Sequence, residues 1–422
     1  MLTAVVGVNW GDEGKGRMVD LLSEEYDIVC RYQGGNNAGH TVVNERGKFI
    51  LNLLPSGILR TGVVNIMGNG MVIDLEHLCG EIRALLEKGI EITSDNLRIS
   101  DKATICLPFH KQQDILEEER LGDKKYGSTR RGIAPAYGDK YMKKSLRMSD
   151  LLDPSGLKDK IEAILEWKNL TFGGYGSHTE DISETLRWLT AYGEPLTPFI
   201  SDITDYLLSA VSCDKRIMFE AQLGSLRDID YGIYPYTTSS QTLAAYAPIG
   251  AGIPGERLDR IIGIMKAYSS CVGEGPFTAE FFGSEAEALR EAGAEYGAAT
   301  GRPRRVGGFD IPASKYGIMV QGATELAITK LDVLSYLERI PVCVAYEIDG
   351  VKTDRFPTGD RLLRAKPVYK YFEGFMTDIT KCRNAEDLPG TALRYVRFIE
   401  EAVGCPIKYV SVGAERDDYL KL

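Results

Sequence analysis

The sequence predicts an α/β protein: a large, mostly parallel central sheet flanked by helices, with a P-loop-like nucleotide site and helical and loop excursions. Three observations predict it. Short apolar runs alternate with amphipathic helical patterns from the first residue. The runs feed glycine-rich turns. Those turns hold the charged and amide side chains that chemistry needs.

Taken in order, "TAVVGV" (3–8) reads as a buried strand, and a loop carrying Asp12, Glu13 and Lys15 leads into the helical "GRMVDLLSEE" (16–25). "DIVCRYQ" (27–33) is a second strand, running into "GGNNAGHT". "VVNIMGNG" (63–70) precedes a helix from about Asp74, with Leu75, Leu78, Ile82, Leu85 and Leu86 at helical spacing and Gly89 just past its end. "RIMFEAQ", "ELAITKLDVL" and "IPVCVAYEI" read as further buried strands. Ser284 followed by Glu287 reads as a capping box for "EAEALREAG". "TFGGYGSHTED" (171–181) reads as an exposed loop, and "AAYAPIGAGIPGE" (244–256) as a loop before a helix containing Leu258, Ile261 and Ile262. Residues 150–205 are more polar and helical, an insertion on the same domain, and 296–310 reads as a substrate loop. The expectation is one large domain over 1–422.

Bulk composition narrows the partners. An excess of Asp+Glu (60) over Lys+Arg (50) argues against nonspecific binding to nucleic acid or to an anionic membrane. No apolar run approaches a membrane span, and "MLTAVVGV" lacks a basic n-region and a cleavage site. The cysteines (30, 79, 106, 213, 271, 343, 382, 405) form no CxxC pair, so they read as reduced, mostly buried thiols of a cytoplasmic protein. The four histidines are equally scattered, which disfavours a histidine-rich metal site.

The turns carry the chemistry. A strand, a glycine-rich turn and a helix present backbone N–H groups and the positive helix end to an anion. In the usual G-x-x-x-x-G-K-[ST] loop the last hydroxyl ligates magnesium, but Lys15 is followed by Gly16 and Asn9 stands at the first glycine. Asp12 therefore either ligates magnesium in place of that hydroxyl, abstracts a proton from a second substrate, or simply shapes the turn. "QGGNNAGHT" (33–41) is backbone suited to close approach, followed by His40 with its near-neutral pKa. "YGSTRRGIAPAYGDKY" (126–141) sets small hydroxyls beside Arg130 and Arg131, as suits a monophosphate or a plain basic surface loop. "YGAATGRPRRVGGFD" carries Arg302, Arg304 and Arg305, whose planar forks match carboxylates. "TKLD" (329–332) places an Asp where it could accept from guanine's ring N–H and amine, and "SVGAER" offers a small-residue turn beside a nucleobase.

Together, "WGDEGKG", "QGGNNAGHT", "GIAPAYGDK", "DIDYGIYPYTTSS", "VGEGPF", "EYGAATGRPRR" and "TKLDVL" stand in the order found in adenylosuccinate synthetases, and the resemblance spans nearly the whole chain. It implies an enzyme that joins IMP and L-aspartate with GTP and Mg2+ through a 6-phosphoryl-IMP intermediate, the first committed step of AMP biosynthesis. By resemblance, Asp12 is the base and a magnesium ligand, with the Gly39 carbonyl as second metal contact, and His40 is the acid partner. Lys15 and Gln222 complete the catalytic set. Gly11, Glu13, Gly14, Lys15, Gly16, Arg17, Gly39, His40 and Thr41 surround the GTP phosphates, while Arg304, Lys330, Leu331, Asp332, Ser411, Val412 and Gly413 serve the rest of GTP. Asp12, Asn37, Ala38, Thr129, Lys143, Gln222, Thr238 and Arg302 hold IMP. Ala298, Ala299, Thr300, Gly301, Arg302 and Arg304 take aspartate.

The chain also departs from the pattern. The usual "FEGAQG" reads "FEAQLG", so either Gln222 or Leu223 faces the purine, and Gln222 is favoured because a polar purine edge needs a partner. Lys143 stands where an Arg commonly reaches from the neighbouring subunit of a homodimer to the IMP phosphate. Arg130 replaces a common Gly, and Gly308 a frequent Trp. The alternatives are a paralogue taking a 2-aminopurine nucleotide such as dGMP, from which loss of the loop Asp is expected, and a GTP-binding module without turnover.

Overall fold

The structure, a computed structural model, describes residues 1–44, 47–177, 179–297, 301 and 303–422. Its centre is a ten-stranded sheet. In chain order the strands are β1 (Leu2–Gly7), β2 (Ile28–Arg31), β3 (Val64–Met67), β4 (Leu97–Ser100), β5 (Ile200–Ser201), β6 (Ile217–Glu220), β7 (Arg260–Lys266), β8 (Glu325–Thr329), β9 (Ile407–Ser411) and β10 (Tyr419–Lys421). Across the sheet they lie in the order β10-β9-β8-β7-β1-β6-β2-β3-β4-β5, and every pairing except β9–β10 is parallel.

Side-chain alternation builds a core on each face of this sheet. Val5, Val29, Met218 and Ile262 point to one face, where they meet Met18, Val19 and Leu22 of helix α1 (Lys15–Leu22). Ala4, Val6, Cys30 and Phe219 point to the other, against Ile203 and Leu207 of the helix Ile203–Ser212. Because both faces are covered, β1, β2 and β6 are buried at every residue and read as continuous apolar runs. A second, smaller sheet joins Phe309–Asp310, Arg339–Ile348, Val351–Thr353 and Lys366–Glu373, so "IPVCVAYEI" is a strand outside the central sheet.

Several local expectations are corrected. Leu258, Ile261 and Ile262 do not share a helix: Arg260–Lys266 is β7, wedged between β1 and β8. A short apolar run fits either period, and here β-branched residues buried between two strands decide it. The expected loop before it contains a short helix, Ala247–Ala251. The helix Leu157–Gly174 runs through the expected loop at Thr171, because Ile161, Leu165 and Phe172 continue one buried stripe into the cluster formed with Leu78, Ile82 and Leu189. Ser284 does not cap its helix. Gly283, at φ +58°, opens the helix one residue earlier and leaves Ser284 inside the first turn.

All eight cysteines are free, and Cys213 is the exposed one. Among the described residues, no helix is long and apolar enough to cross a membrane.

One close approach fixes where the first loop leaves the sheet. The Val8 carbonyl accepts from the Ser225 hydroxyl, and a Cβ on Gly317 would come within 1.9 Å of the same oxygen. Gly317→Ala is therefore expected to cost about 1–3 kcal/mol through overpacking against backbone. Urea denaturation reads this as a lowered midpoint; an unchanged midpoint would show that the helix Ile311–Gln321 slides away without penalty.

Candidate functional site

The turns singled out from the sequence leave the C-terminal ends of neighbouring parallel strands. The loop to α1 follows β1, "GGNNAGH" follows β2, "AQLG" follows β6, Lys330–Asp332 follows β8 and "VGAER" follows β9. In an open parallel sheet this edge, near the strand where the order reverses, is where ligands sit.

The loop after β1 takes its shape from backbone and one buried acid. Gly11, Asp12 and Gly14 have φ of +98°, +58° and +95°. Glu13 folds inward: its Oε1 accepts from the N–H groups of Asn9 (3.1 Å) and Gly11 (2.8 Å), and its Oε2 pairs with Lys15 Nζ at 2.7 Å. A Cβ on Gly7 or Gly224 would lie 2.6 Å from that carboxylate, so both glycines keep its space open. Thr329 at the end of β8 ties on by donating to the Glu13 carbonyl at 2.7 Å. No side chain caps α1 at Gly14, so its first N–H groups face the loop as an anion-binding end. Arg17 donates to the Gly413 carbonyl at 2.6 Å and stacks over the Tyr419 ring, joining α1 to the turn after β9.

Gly16, the residue that breaks the usual loop pattern, has a steric reason. Its Cβ would fall 2.6 Å from His40 Cβ, so a Ser or Thr there would collide with the imidazole. His40 opens the strand His40–Asn44 and gives its Nδ1 to the fully buried Glu220 at the end of β6. Glu220 also accepts from the Ser56 N–H (2.7 Å) and hydroxyl (2.6 Å). Burial pushes the His40 imidazole below its ordinary value, and the Glu220 carboxylate opposes that shift; the histidine and Arg31 hold Glu220 below the usual carboxylate range against its own burial. With Nδ1 committed to a carboxylate, Nε2 is the free working edge of the ring.

The loop after β2 is held from several sides. Gln222 is fully buried, and its amide accepts from Gly35 N–H (3.0 Å) and donates to the Gly35 (2.8 Å) and Ala38 (3.4 Å) carbonyls. A Cβ on Gly34, at φ +83°, would sit 1.7 Å from the Gln222 oxygen. Asn36 donates to Asp74, the N-cap of the helix Leu75–Glu87, at 2.7 Å. Asn37 Nδ2 reaches Thr238 Oγ at 3.5 Å, while the buried Oδ1 atoms of Asn36 and Asn37 have no partner. Leu223, at φ +62°, lies against Gly11. Thr129 and Lys143 are exposed, and Asp114 steadies the neighbouring turn by accepting from Ser128 (2.6 Å) and the Gly132 N–H (2.9 Å).

On the other flank, Asp12 Oδ2 pairs with Arg304 Nη2 at 3.0 Å. Lys330, at φ +59°, turns the chain after β8, and the Leu331 N–H bonds the Ser411 carbonyl at 3.1 Å. Asp332 is largely buried, its Oδ1 has no partner, and burial raises its pKa. Ser411 donates to the Gly413 carbonyl at 3.1 Å, and the Val412 N–H bonds the Asp418 carbonyl. Gly301 has φ +65°. Ala298, Ala299, Thr300 and Arg302 lie outside the described residues. At Gly308 a side chain would meet the Pro341 carbonyl at 2.9 Å and the Tyr369 ring at 3.1 Å, so Tyr369 occupies the space beside it.

Sequence reasoning missed four residues. Glu220 was visible only as a carboxylate ending an apolar strand. Glu295 opens "EYGAATGRPRR" but was given no role, and Asp114 lies before the turn at Ser128; each acts on the segment next to it. Arg227 is buried and donates to the Glu274 carbonyl at 3.2 Å, and also to the carbonyls of Tyr236 and Val272, clamping the Thr238 segment to the stretch after β7. No group of three or more His, Cys, Asp or Glu placed to hold a metal occurs among the described residues.

A family model described as adenylosuccinate synthetase matches residues 4–420. Adenylosuccinate synthetase of Caldanaerobacter subterraneus subsp. tengcongensis is 43% identical over 423 residues, covering 100% of this chain and 99% of that protein. That of Kineococcus radiotolerans is 44% identical, covering 98% and 96%. The fully ligated adenylosuccinate synthetase of Plasmodium falciparum superposes with a TM-score of 0.94 at 34% identity, covering 100% of this chain and 99% of that one. Succinoaminodeoxyadenylate synthetase of cyanophage S-2L, bound to dGMP and dATP, matches at a TM-score of 0.62 over 100% of this chain and 95% of that one, but its 19% identity supports likeness of fold alone.

Two outcomes test the imidazole–carboxylate pair. Because Glu220 opposes the effect of burial, Glu220→Gln should lower the His40 pKa further, as read by NMR titration of the ring; a rise would contradict the pairing. His40 and His110 are both buried with depressed pKa values. The unfolded chain therefore takes up protons first as pH falls through about 6.5. Their contribution to stability should be complete above that pH and decline below it, in denaturation midpoints measured from about pH 7.5 to 5.5. Buried Asp310, its pKa raised by burial to about 7, adds the opposite slope over this range, so the scan is made on Asp310→Asn protein, where midpoints that rise on acidification would contradict burial of the neutral rings.

Proposed function

The chain belongs to the adenylosuccinate synthetase family, and from that premise we propose how its own residues perform GTP-dependent joining of IMP and L-aspartate. The protein is a carbon–nitrogen ligase of purine nucleotide synthesis. One observation carries the residue-level reading: a single loop touches the machinery for every substrate. Gly16 packs on His40, Asp12 pairs with Arg304, Glu13 bonds Thr329 at the end of β8, and Arg17 bonds the turn after β9.

A purine ring oxygen is a poor leaving group, so an amine cannot displace it directly. Asp12 removes the N1 proton of the hypoxanthine, and the electron pair moves onto O6. O6 then attacks the γ-phosphorus, the bond to the GDP oxygen breaks, and 6-phosphoryl-IMP forms. The unprotonated aspartate amine next attacks C6, the C6–O bond breaks with its electron pair on the departing phosphate, and the nitrogen gives its extra proton to that phosphate. His40 Nε2 supports O6 through both steps, with Glu220 fixing the ring. Lys15 and the N–H groups at the start of α1 spread the charge of the transferring phosphoryl group.

Asn37 and Ala38 are assigned to IMP, and Gln222 holds their loop in place. Thr129, Thr238 and the turn around Ser128 suit the rest of IMP. Asp332, with a buried acceptor to satisfy, suits the N–H groups of guanine and would leave ATP without that bond. Arg304 and the residues 298–302 are assigned to aspartate, Arg302 also to IMP, and Lys330, Leu331, Ser411, Val412 and Gly413, with Arg304 again, to GTP. Mg2+ is the proposed metal: one carboxylate, Asp12, and one carbonyl, Gly39, form a sparse oxygen set that suits an ion bound mainly through substrate phosphates and water. When bound, it would neutralise charge between the phosphates and Asp12. We further assign a homodimer in which exposed Lys143 reaches the partner's IMP phosphate, and a cytoplasmic location.

Asp12→Asn should lower kcat by about 10²- to 10⁴-fold or more while GDP still binds, because a proton-transfer group is lost and the loop is not. Adenylosuccinate formation followed by ultraviolet absorbance, beside GDP titration calorimetry, checks this; undiminished turnover would remove Asp12 from the chemistry.

A further inference from the structure

Groups from three parts of the fold converge on one carboxylate that the reaction itself does not use. Glu295 is fully buried. Its Oε1 accepts from Lys266 Nζ (2.7 Å), Lys330 Nζ (2.9 Å) and the Tyr268 hydroxyl, and its Oε2 accepts from Arg304 Nη1 (2.8 Å). Lys266 is the last residue of β7, and Lys330 begins the turn after β8. Glu295 and Arg304 stand at the two feet of the substrate loop. Those feet are zipped by the Arg304 N–H to the Glu295 carbonyl at 2.9 Å and by the bridge between Tyr296 and Pro303.

The electrostatics make this junction sensitive to charge. Burial alone would raise the Glu295 pKa, yet Lys266, Lys330 and Arg304 hold it far below the usual carboxylate range, while burial pushes Lys266 down to about 8. With Asp12 on the far side of Arg304, three cations stand against two carboxylates in one connected chain. Without the Glu295 charge, Lys330 and Arg304 would lose their shared partner and repel each other at close range. Whatever fixes Lys330 also fixes the carboxylate that aims the Arg304 fork.

We propose that Glu295 is a positioning residue that couples guanine-nucleotide binding at Lys330 to aspartate recognition at Arg304, so that each ligand strengthens binding of the other. This rests on the assignment of those two residues under the proposed function. Coupling of this kind is reciprocal and typically changes affinity about 5- to 150-fold.

The test is calorimetric titration of aspartate into protein holding IMP and Mg2+, with and without GDP, a mixture that cannot turn over. In the unaltered protein GDP should tighten aspartate binding on the order of 10-fold. In Glu295→Gln the ratio should collapse toward one while thermal unfolding stays cooperative, and in assays the KM for aspartate should rise more than kcat falls. Glu295→Asp should recover part of the ratio, and it decides the matter if the Gln variant does not fold. Lys266→Met keeps the Lys330–Glu295–Arg304 connection and should keep most of the ratio. An unaltered ratio in either folded Glu295 variant overturns the proposal, as does a ratio of one in the unaltered protein. Absence of aspartate binding under every condition would instead overturn the functional reading beneath it.

Discussion

The buried pair of Glu13 and Lys15 is the constraint on which the rest of the site depends. A loop meant for phosphate has an acid in its middle, and the structure turns that acid inward, where it binds two backbone N–H groups and the loop's own lysine. Both side chains are about 3% exposed. Removing one partner from such a pair costs about 3–5 kcal/mol, because a buried charge is left alone. The loop therefore has one shape, in which Glu13 points in and its neighbour Asp12, at positive φ, points out. An outward carboxylate beside an uncapped helix end is what lets one loop serve a proton on one side and phosphates on the other.

From Asp12 the charges continue in alternation through Arg304, Glu295 and Lys330, toward the turn that carries Asp332. On the opposite flank Glu220 and Ser56 orient His40, whose ring packs against Gly16. Loop, imidazole and arginine thus hold one another in register across the parallel strand ends, with few flexible side chains between them. Positioning of that kind, rather than strong binding of any one group, is what phosphoryl transfer requires from a protein.

Much of this was legible in the sequence, for a physical reason. Strands buried on both faces leave long apolar signatures, and glycine-rich turns at their ends mark where backbone must approach ligand, so β1, β2, β8 and their turns could be read directly. Leu258 to Ile262 could not, since a short apolar run carries no period of its own and its neighbours β1 and β8 decide the conformation. Glu220, Glu295, Asp114 and Arg227 were missed for a different reason. Each acts through another residue, and a positioning carboxylate looks like any other acid until the fold places something beside it. Gly16 was visible as an anomaly, but its cause, the nearness of His40, is a tertiary fact.

The account turns on O6 of the purine becoming the nucleophile once Asp12 has taken the neighbouring proton. The most direct measurement follows that oxygen: IMP labelled with ¹⁸O at position 6, incubated with GTP, aspartate and Mg2+, and the released phosphate examined by mass spectrometry. The account predicts that the label appears in inorganic phosphate in step with adenylosuccinate. Unlabelled phosphate accompanied by adenylosuccinate would contradict it.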